Sequence, residues 1–410
     1  MPKVIIKSFS VNSGFGESFS AMKSGIESGK VVTPKKWFNN KREEEMMRLN
    51  VNPYYIPSER DKYSDFANLC QVIDDALLKA NMSHADISQK NVRVFLVGNG
   101  VRSNNQDYMA YLDRNDPEEQ FYNPNIKKMQ AKYFAQDVLS IDLLRKYKLA
   151  WPPISLYAAS NSSMAGIQLA VDLIKGGGID IALIVGFMRV SSQDVIFMGG
   201  QGIMGDQIAQ PFSLEPSVCL PANCSSALVL SKKNKNYLHS EESIHITTSN
   251  HVQSGGIRGG NAFTADFRTI AECIQKTLLE ADLDISEIDA CFVHGNGVNS
   301  SDKAECMAIE KVFGKMNLPI LSYKGQFGYY ISCAGMVDIM FIHDALTCNK
   351  LLPMHAKVKL DETLSMAILS NCSPLSLKNG NILKLGVGLD GSVNVAIISR
   401  LNHEAAINDD

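Results

Sequence analysis

Residues 94–101, Val-Phe-Leu-Val-Gly-Asn-Gly-Val, are echoed at 291–298 by Cys-Phe-Val-His-Gly-Asn-Gly-Val. A second echo pairs Ser226-Ala-Leu-Val-Leu-Ser-Lys232 with Val395-Ala-Ile-Ile-Ser-Arg400, in the same order along the chain. Apolar strands resemble one another by chance, so either match alone constrains little. Two matches in one order favour a chain built from two similar α/β halves. The offsets between matched stretches differ, which places insertions in the connecting loops. We expect halves at 1–240 and 241–410, joined near 235–242. A chain of 410 residues holds two domain-sized units or one large duplicated one, with a sizeable core either way.

Between these landmarks, β-branched runs alternate with helical patterns, the mark of an α/β protein. Strands are expected at 93–98, 180–186, 226–231, 243–248, 290–294, 319–323, 382–388 and 394–399. Helices are expected at 65–80, 162–175, 266–281, 302–314 and 333–348. The first carries Phe66, Leu69, Val72, Ile73 and Leu77 at helical spacing. Asp302 is placed to cap the helix after it, with Glu305 three residues on in capping-box position. Residues 100–140 break the pattern, with Tyr108, Tyr111, Phe121, Tyr122 and Tyr133 among many charges. Such an insertion is either a lid, partner surface or pocket wall, or a solvated loop with tyrosines packed beneath it.

Charge and cysteine usage exclude several classes. A net charge of −3 gives no electrostatic case for nucleic acid or an anionic membrane. No apolar run reads as a bilayer span, because Lys175 and Asp180 interrupt the best stretch, and the N-terminus lacks a signal-like apolar region. Nine scattered cysteines with no Cys-x-x-Cys pair argue against a disulfide framework and a metal site. Buried thiols in a reducing cytoplasm are the expectation.

The stretch 156–186 carries the first candidate site. A strand feeds a turn of small residues, then an amphipathic helix, then Gly176-Gly-Gly178 as a stop and a buried strand. Small residues let the backbone bend sharply and present Ser160 at a helix N-terminus, where free N–H groups favour a developing anion. Ser160 is therefore either a nucleophile on a strained elbow or simply the helix N-cap.

Four blocks give a resemblance to the β-ketoacyl synthases. The run around Ser160 resembles their nucleophile segment, with Ile167-Gln-Leu-Ala170 fixing the register and Ser160 falling on the catalytic cysteine. Phe292-Val-His-Gly-Asn-Gly-Val-Asn-Ser-Ser-Asp-Lys-Ala-Glu305 resembles the family's first histidine block, which puts His294 on that histidine and keeps Asp302 and Glu305. Ser322-Tyr-Lys-Gly-Gln-Phe-Gly-Tyr329 resembles the lysine-to-second-histidine block, with Lys324 on the lysine and Tyr329 on the histidine. Gly386-Val-Gly-Leu-Asp-Gly391 is a degraded form of the Gly-Phe-Gly-Gly-Thr-Asn loop, and Pro211-Phe-Ser213 echoes Pro-Phe-Asp. The blocks span the chain in order. The resemblance implies a thiolase-like fold, two similar α/β halves in an αβαβα five-layer arrangement, and dimers paired through a central strand.

The departures carry the functional reading. A serine hydroxyl is a weak nucleophile without an adjacent base, whereas a thiolate is strong near neutral pH. One histidine supplies only half of the enolate stabilisation the family uses, and a tyrosine is neutral and bulkier. Val387 also stands where active enzymes carry a bulky gate. Buried Lys324, Glu305 and Asp302 are expected to be structural, a Lys–Glu pair holding the centre together.

These departures are those of a chain length factor, the non-condensing partner of a type II polyketide or polyene ketosynthase. The implied partners are that ketosynthase, as a heterodimer, and an acyl carrier protein whose phosphopantetheine belongs to the partner system; no cofactor or metal of its own is implied. The alternative is a serine acyltransferase or hydrolase, with Ser160 as nucleophile, His294 as base, and the amides of Ser160 and Leu389 or a neighbour as oxyanion hole. That alternative requires His294 Nε2 within hydrogen-bond reach of the Ser160 hydroxyl. A third is an active ketosynthase with unusual residues. Lys35, Lys36, Lys41 and Arg42 are candidates for carrier docking, or a solvated loop.

Overall fold

A computed structural model describes residues 2–38, 41–46, 52–98, 136–204, 208–215, 217–233, 244–253, 266–314, 318–364 and 367–401. In chain order the main sheet is built from β1 (Val4–Asn12), β2 (Val92–Gly98), β3 (Ile154–Tyr157), β4 (Ile181–Met188), β5 (Cys224–Lys232), β6 (Ile244–Gln253), β7 (Ala290–Phe292), β8 (Pro319–Leu321), β9 (Ala367–Ile368), β10 (Asn381–Val387) and β11 (Ser392–Arg400). The order across it is β9-β8-β7-β10-β11-β6-β1-β5-β4-β2-β3. Leaving aside the two-residue edge strand β9 and counting the other strands within each half, β3-β2-β4-β5-β1 and β8-β7-β10-β11-β6 both read 3-2-4-5-1. In each half the last-formed strand runs antiparallel to both of its neighbours. The first strands of the two halves meet through Val4↔Ile246 and Ile5↔His245. The join expected near 235–242 lies outside the described residues.

The helices complete the layers: α1 (Phe19–Glu27), α2 (Asp65–Lys79), α3 (Gln136–Tyr147), α4 (Ser162–Lys175), α5 (Ser192–Gly200), α6 (Phe267–Ala281), α7 (Asn299–Phe313) and α8 (Ala334–Cys348). Ser64 caps α2, its hydroxyl accepting from the Ala67 N–H, and Leu69, Val72, Ile73 and Leu77 face inward. They meet Val94 and Leu96 of β2 and Ala227 and Val229 of β5. The alternate residues Phe95, Val97, Leu228 and Leu230 point to the opposite face, against α4. Both faces of this sheet are therefore buried, as its near-continuous apolar strands require. Helices α4 and α8 pack together between the halves, α6 and α7 cover the far face of the second, and five layers result.

All thirteen expected elements are present with bounds shifted by a few residues. Strand β1, at the sheet's centre, was not expected from sequence. Of the 100–140 insertion, only its last residues are described, as the start of α3. Among the described residues one segment, Ile331–Cys348, is apolar and long enough to cross a membrane, although 72% of it is buried inside the molecule around the core helix α8.

Candidate active site

Four loops at strand ends converge on one buried cluster. Ser160 follows β3, His294 follows β7, Tyr329 follows β8, and Val387 ends β10. This is the crevice outside the carboxyl ends of parallel strands, where α/β folds build sites. The turn into α4 is tight because Ser162 ties it: its Oγ accepts from Ala158 N–H at 2.9 Å and lies 2.8 Å from Ala159 O and 2.9 Å from Gly98 O. Ala159 sits at φ +43°, a left-handed conformation that costs a non-glycine residue energy and persists because its surroundings hold it.

Ser160 is not the helix N-cap. Residues Ala159–Asn161 form a 3-10 turn, α4 starts at Ser162, and Asn161 is its cap residue. The Ser160 hydroxyl instead donates to the Val387 carbonyl at 3.2 Å. Next to it, Asn161 Nδ2 donates to Ser392 O and Oγ at 3.0 and 2.8 Å, tying this turn to the loop after β10.

Tyr329 separates the serine from the histidine. Its backbone is zipped onto the neighbouring loop by Tyr329 N–H to Leu220 O (2.7 Å) and Ala222 N–H to Tyr329 O (3.0 Å). Gly328 makes this approach possible: at φ +84°, a Cβ there would lie 2.8 Å from Ala222 Cβ. The Tyr329 hydroxyl lies 3.1 Å from His294 Nε2 and also neighbours the Ser160 hydroxyl, whose own proton goes to Val387 O. Among the described residues, no bond joins Ser160 to His294 directly. Burial, followed by the charges of Lys324 and Lys384, holds His294 well below its ordinary range, so its imidazole is neutral. Burial also keeps the tyrosine protonated, so a neutral imidazole and a neutral phenol share one hydrogen bond at Nε2.

Beneath this layer the charges are arranged differently from the sequence reading. Lys324 Nζ pairs with Asp338 at 3.0 Å, not with Glu305. A second buried lysine, Lys384, reaches the same Asp338 oxygen at 2.7 Å and bonds the carbonyls of Val293 (3.3 Å) and Leu385 (2.7 Å). Glu305 accepts from the backbone N–H groups of His294 (2.6 Å) and Gly295 (3.1 Å), and so sets the loop that carries the histidine. Asp302 does not cap a helix: α7 starts at Asn299 after Val298, and Asp302 Oδ2 accepts from Phe212 N–H at 2.9 Å. That bond fixes Phe212 at φ +62°, in the Pro-Phe-Ser turn.

Ser160, His294, Tyr329, Val387 and Leu389, with Cys219, line a cavity of about 30 Å³, room for one or two waters. Burial pushes the Cys219 thiol up to about 12, so it is inert as a nucleophile. Among the described residues, no cluster of His, Cys, Asp and Glu could hold a metal. Lys35 and Lys36 lie exposed on a two-stranded ribbon, and exposed Lys41 lies 4.0 Å from Glu45.

Residues 247–357, which contain His294, Asp302, Glu305, Lys324 and Tyr329, match the β-ketoacyl synthase C-terminal domain. The whole chain superposes on the ishigamide ketosynthase/chain length factor with a TM-score of 0.81, covering 98% of this chain and 100% of that one at 16% identity. Residues 247–357 are β-ketoacyl synthase-like by that match, and the whole chain shares the thiolase-like fold of the ketosynthase structures. A second structure, a type II polyketide synthase acyl-carrier protein in complex with its ketosynthase, gives 0.82 at 17% identity over 97% of this chain and 99% of that one. At such identities the structural likeness is one of fold. Sequence relatives include a highly reducing polyketide synthase of Hypocrea virens, 22% identical over 83% of the chain, and a lovastatin diketide synthase of Monascus pilosus, 25% identical over 68%. The ketosynthase-like chain spans only 14% and 10% of those two proteins' lengths.

The acid pair gives this ketosynthase-like chain a pH signature. Burial pushes Asp302 up to about 7, and burial with Asp302 as neighbour pushes Glu305 up to about 8, from ordinary values of 3.8 and 4.5. The folded state then holds protons that the unfolded chain has already lost, so stability falls as pH rises through that window. We expect the midpoint of thermal unfolding to drop steadily between about pH 5 and pH 8. Asp302→Asn should flatten the slope, since it removes one acid and relieves the other. An identical slope in wild type and variant would contradict the shared burial.

Proposed function

We propose that this chain is a non-condensing, chain-length-factor-like subunit that pairs with an active ketosynthase of a type II polyketide synthase and shapes the tunnel for the growing chain. The observation that carries the reading is Tyr329, whose hydroxyl takes up His294 Nε2 at 3.1 Å and stands between it and Ser160. Ser160 donates to a carbonyl and has no base, so it stays an alcohol. The cavity it lines has room for one or two waters and not for an acyl chain. The serine acyltransferase reading required a direct Ser160–His294 bond, and this geometry does not support it.

A partner surface is available. Strand β3 lies at the outer edge of the sheet and, among the described residues, pairs only with β2. Its Ile154 and Leu156 are half-buried, an edge that another strand could extend. The phosphopantetheine chemistry would come from a carrier protein serving the partner. Expressed alone, the chain should self-associate or precipitate through this edge and show no condensation.

The test is co-expression with the ketosynthase encoded beside it, pulldown, and native mass determination after exposure to acyl-carrier substrate. A one-to-one heterodimer with acyl label only on the partner supports the proposal. A homodimer labelled at Ser160 would overturn it and favour an acyltransferase.

A further inference from the structure

Far along α8 from the site, its last turn meets α1 in a second cluster of reactive side chains. Lys23 Nζ of α1 lies 2.8 Å from Asp344 Oδ1 and 3.6 Å from Cys348 Sγ. The Cys348 thiol points at the same Asp344 oxygen, 3.8 Å away. Asp344 and Cys348 are four residues apart in α8 and share a face, while Lys23 arrives from the opposite end of the chain. Seven of the nine cysteines are buried; Cys348 is exposed, so an oxidant in solution reaches it. A nitrogen already in contact with an accessible sulfur is placed to trap that sulfur once it is oxidised.

We propose that Lys23 and Cys348 are a modification site: peroxide converts them to a covalent sulfur–nitrogen cross-link that bolts α1 to α8, with Asp344 as positioning residue. In the first step the Cys348 thiol is oxidised by two electrons, the peroxide O–O bond breaks, and sulfenic acid and water form. The neutral Lys23 amine then attacks sulfur. The S–O bond breaks, the S–N bond forms, and hydroxide leaves as water with a proton from nitrogen. Thiol, amine and one peroxide thus become a sulfenamide and two waters; a further peroxide adds one oxygen to sulfur.

Asp344 holds the lysine nitrogen against the sulfur and accepts the proton it must lose. The groups facing Lys23 are Asp344, Cys348 and Glu27; burial opposes them, but together they hold the ammonium above its ordinary range. Cross-linking should therefore accelerate as pH rises towards the amine's titration, faster at about pH 9 than at about pH 7.

The experiment treats the full chain with hydrogen peroxide, digests it without reductant, and sequences the peptides by mass spectrometry. Supporting the proposal, the peptides carrying Lys23 and Cys348 appear joined, about 2 Da below their summed mass, or about 14 Da above it with the extra oxygen. The joined form lacking the extra oxygen should be released by dithiothreitol. Lys23→Arg, Lys23→Met and Cys348→Ser should each reduce the joined peptides about tenfold or more, whereas Cys372→Ser, at the other exposed thiol, should not. Oxidation of Cys348 without joined peptides, or joined peptides that survive Lys23→Met, overturns the proposal.

Discussion

Replacing Asp338 with alanine is expected to cost about 3–5 kcal/mol of stability, enough to leave much of the protein unfolded or aggregated on expression. The reason is arithmetic of charge in a dry place. Lys324 and Lys384 are both within 3.0 Å of the same Asp338 oxygen, with side chains 1% exposed, and neither ammonium reaches water. Removing the carboxylate leaves two like charges facing each other, with backbone carbonyls on Lys384 alone. Lys384→Met should be much milder, because the Lys324–Asp338 pair survives it. The triple replacement Asp338→Leu, Lys324→Met and Lys384→Met should recover most of the loss, since apolar residues of similar volume replace buried ion clusters at little net cost. Urea unfolding of the four proteins checks this. An Asp338→Ala variant within about 1 kcal/mol of wild type would mean the cluster is hydrated and the expected loss is wrong.

The same cluster marks where sequence reasoning stopped. Lys324 was legible because a motif surrounds it, yet motif spacing says nothing about which carboxylate a lysine meets, and Glu305 was the wrong one. Asp338 and Lys384 had a signal of another kind. Each is the single charge inside an apolar run, Ala334–Ile342 and Ile382–Val387, and a charge that rides into a core needs a partner there. Two such lone charges of opposite sign could have been paired before any coordinates.

Strand β1 failed for the reverse reason. Its Ser8, Ser10 and Asn12 are buried in the middle of the sheet, Asn12 at 0% exposure, so polar residues occupy a position that pattern reasoning assigns to apolar ones. The strands that were legible have both faces covered and runs that are nearly all apolar, whereas helices α1, α3 and α5 were, like β1, not expected from sequence. Ser160 lay in between. A run of small residues offers several cap positions, and only the 3-10 turn moves the helix start past it to Ser162.

Placing cysteine at 160 and histidine at 329, the residues that the resemblance implies there, should do more than either change alone. Wild type is expected to take no acyl label from an acyl-carrier substrate, and Ser160→Cys to take it slowly. Ser160→Cys combined with Tyr329→His should be labelled at position 160 at least about 100-fold faster than wild type. Sulfur supplies the nucleophile that an unassisted hydroxyl is not. Its partner change matters because the Tyr329 hydroxyl occupies His294 Nε2 and the space between the two residues. An imidazole there is smaller than a phenol, opens the cavity, and gives the site a second nitrogen at the position the fold has prepared. His294 remains neutral in both proteins, since burial and the lysines below set its state rather than residue 329. Labelling follows from intact mass after timed exposure. Wild type labelled as fast as the double variant would show that Ser160 already works as a nucleophile, and Tyr329 would then be a relay between serine and histidine rather than a plug.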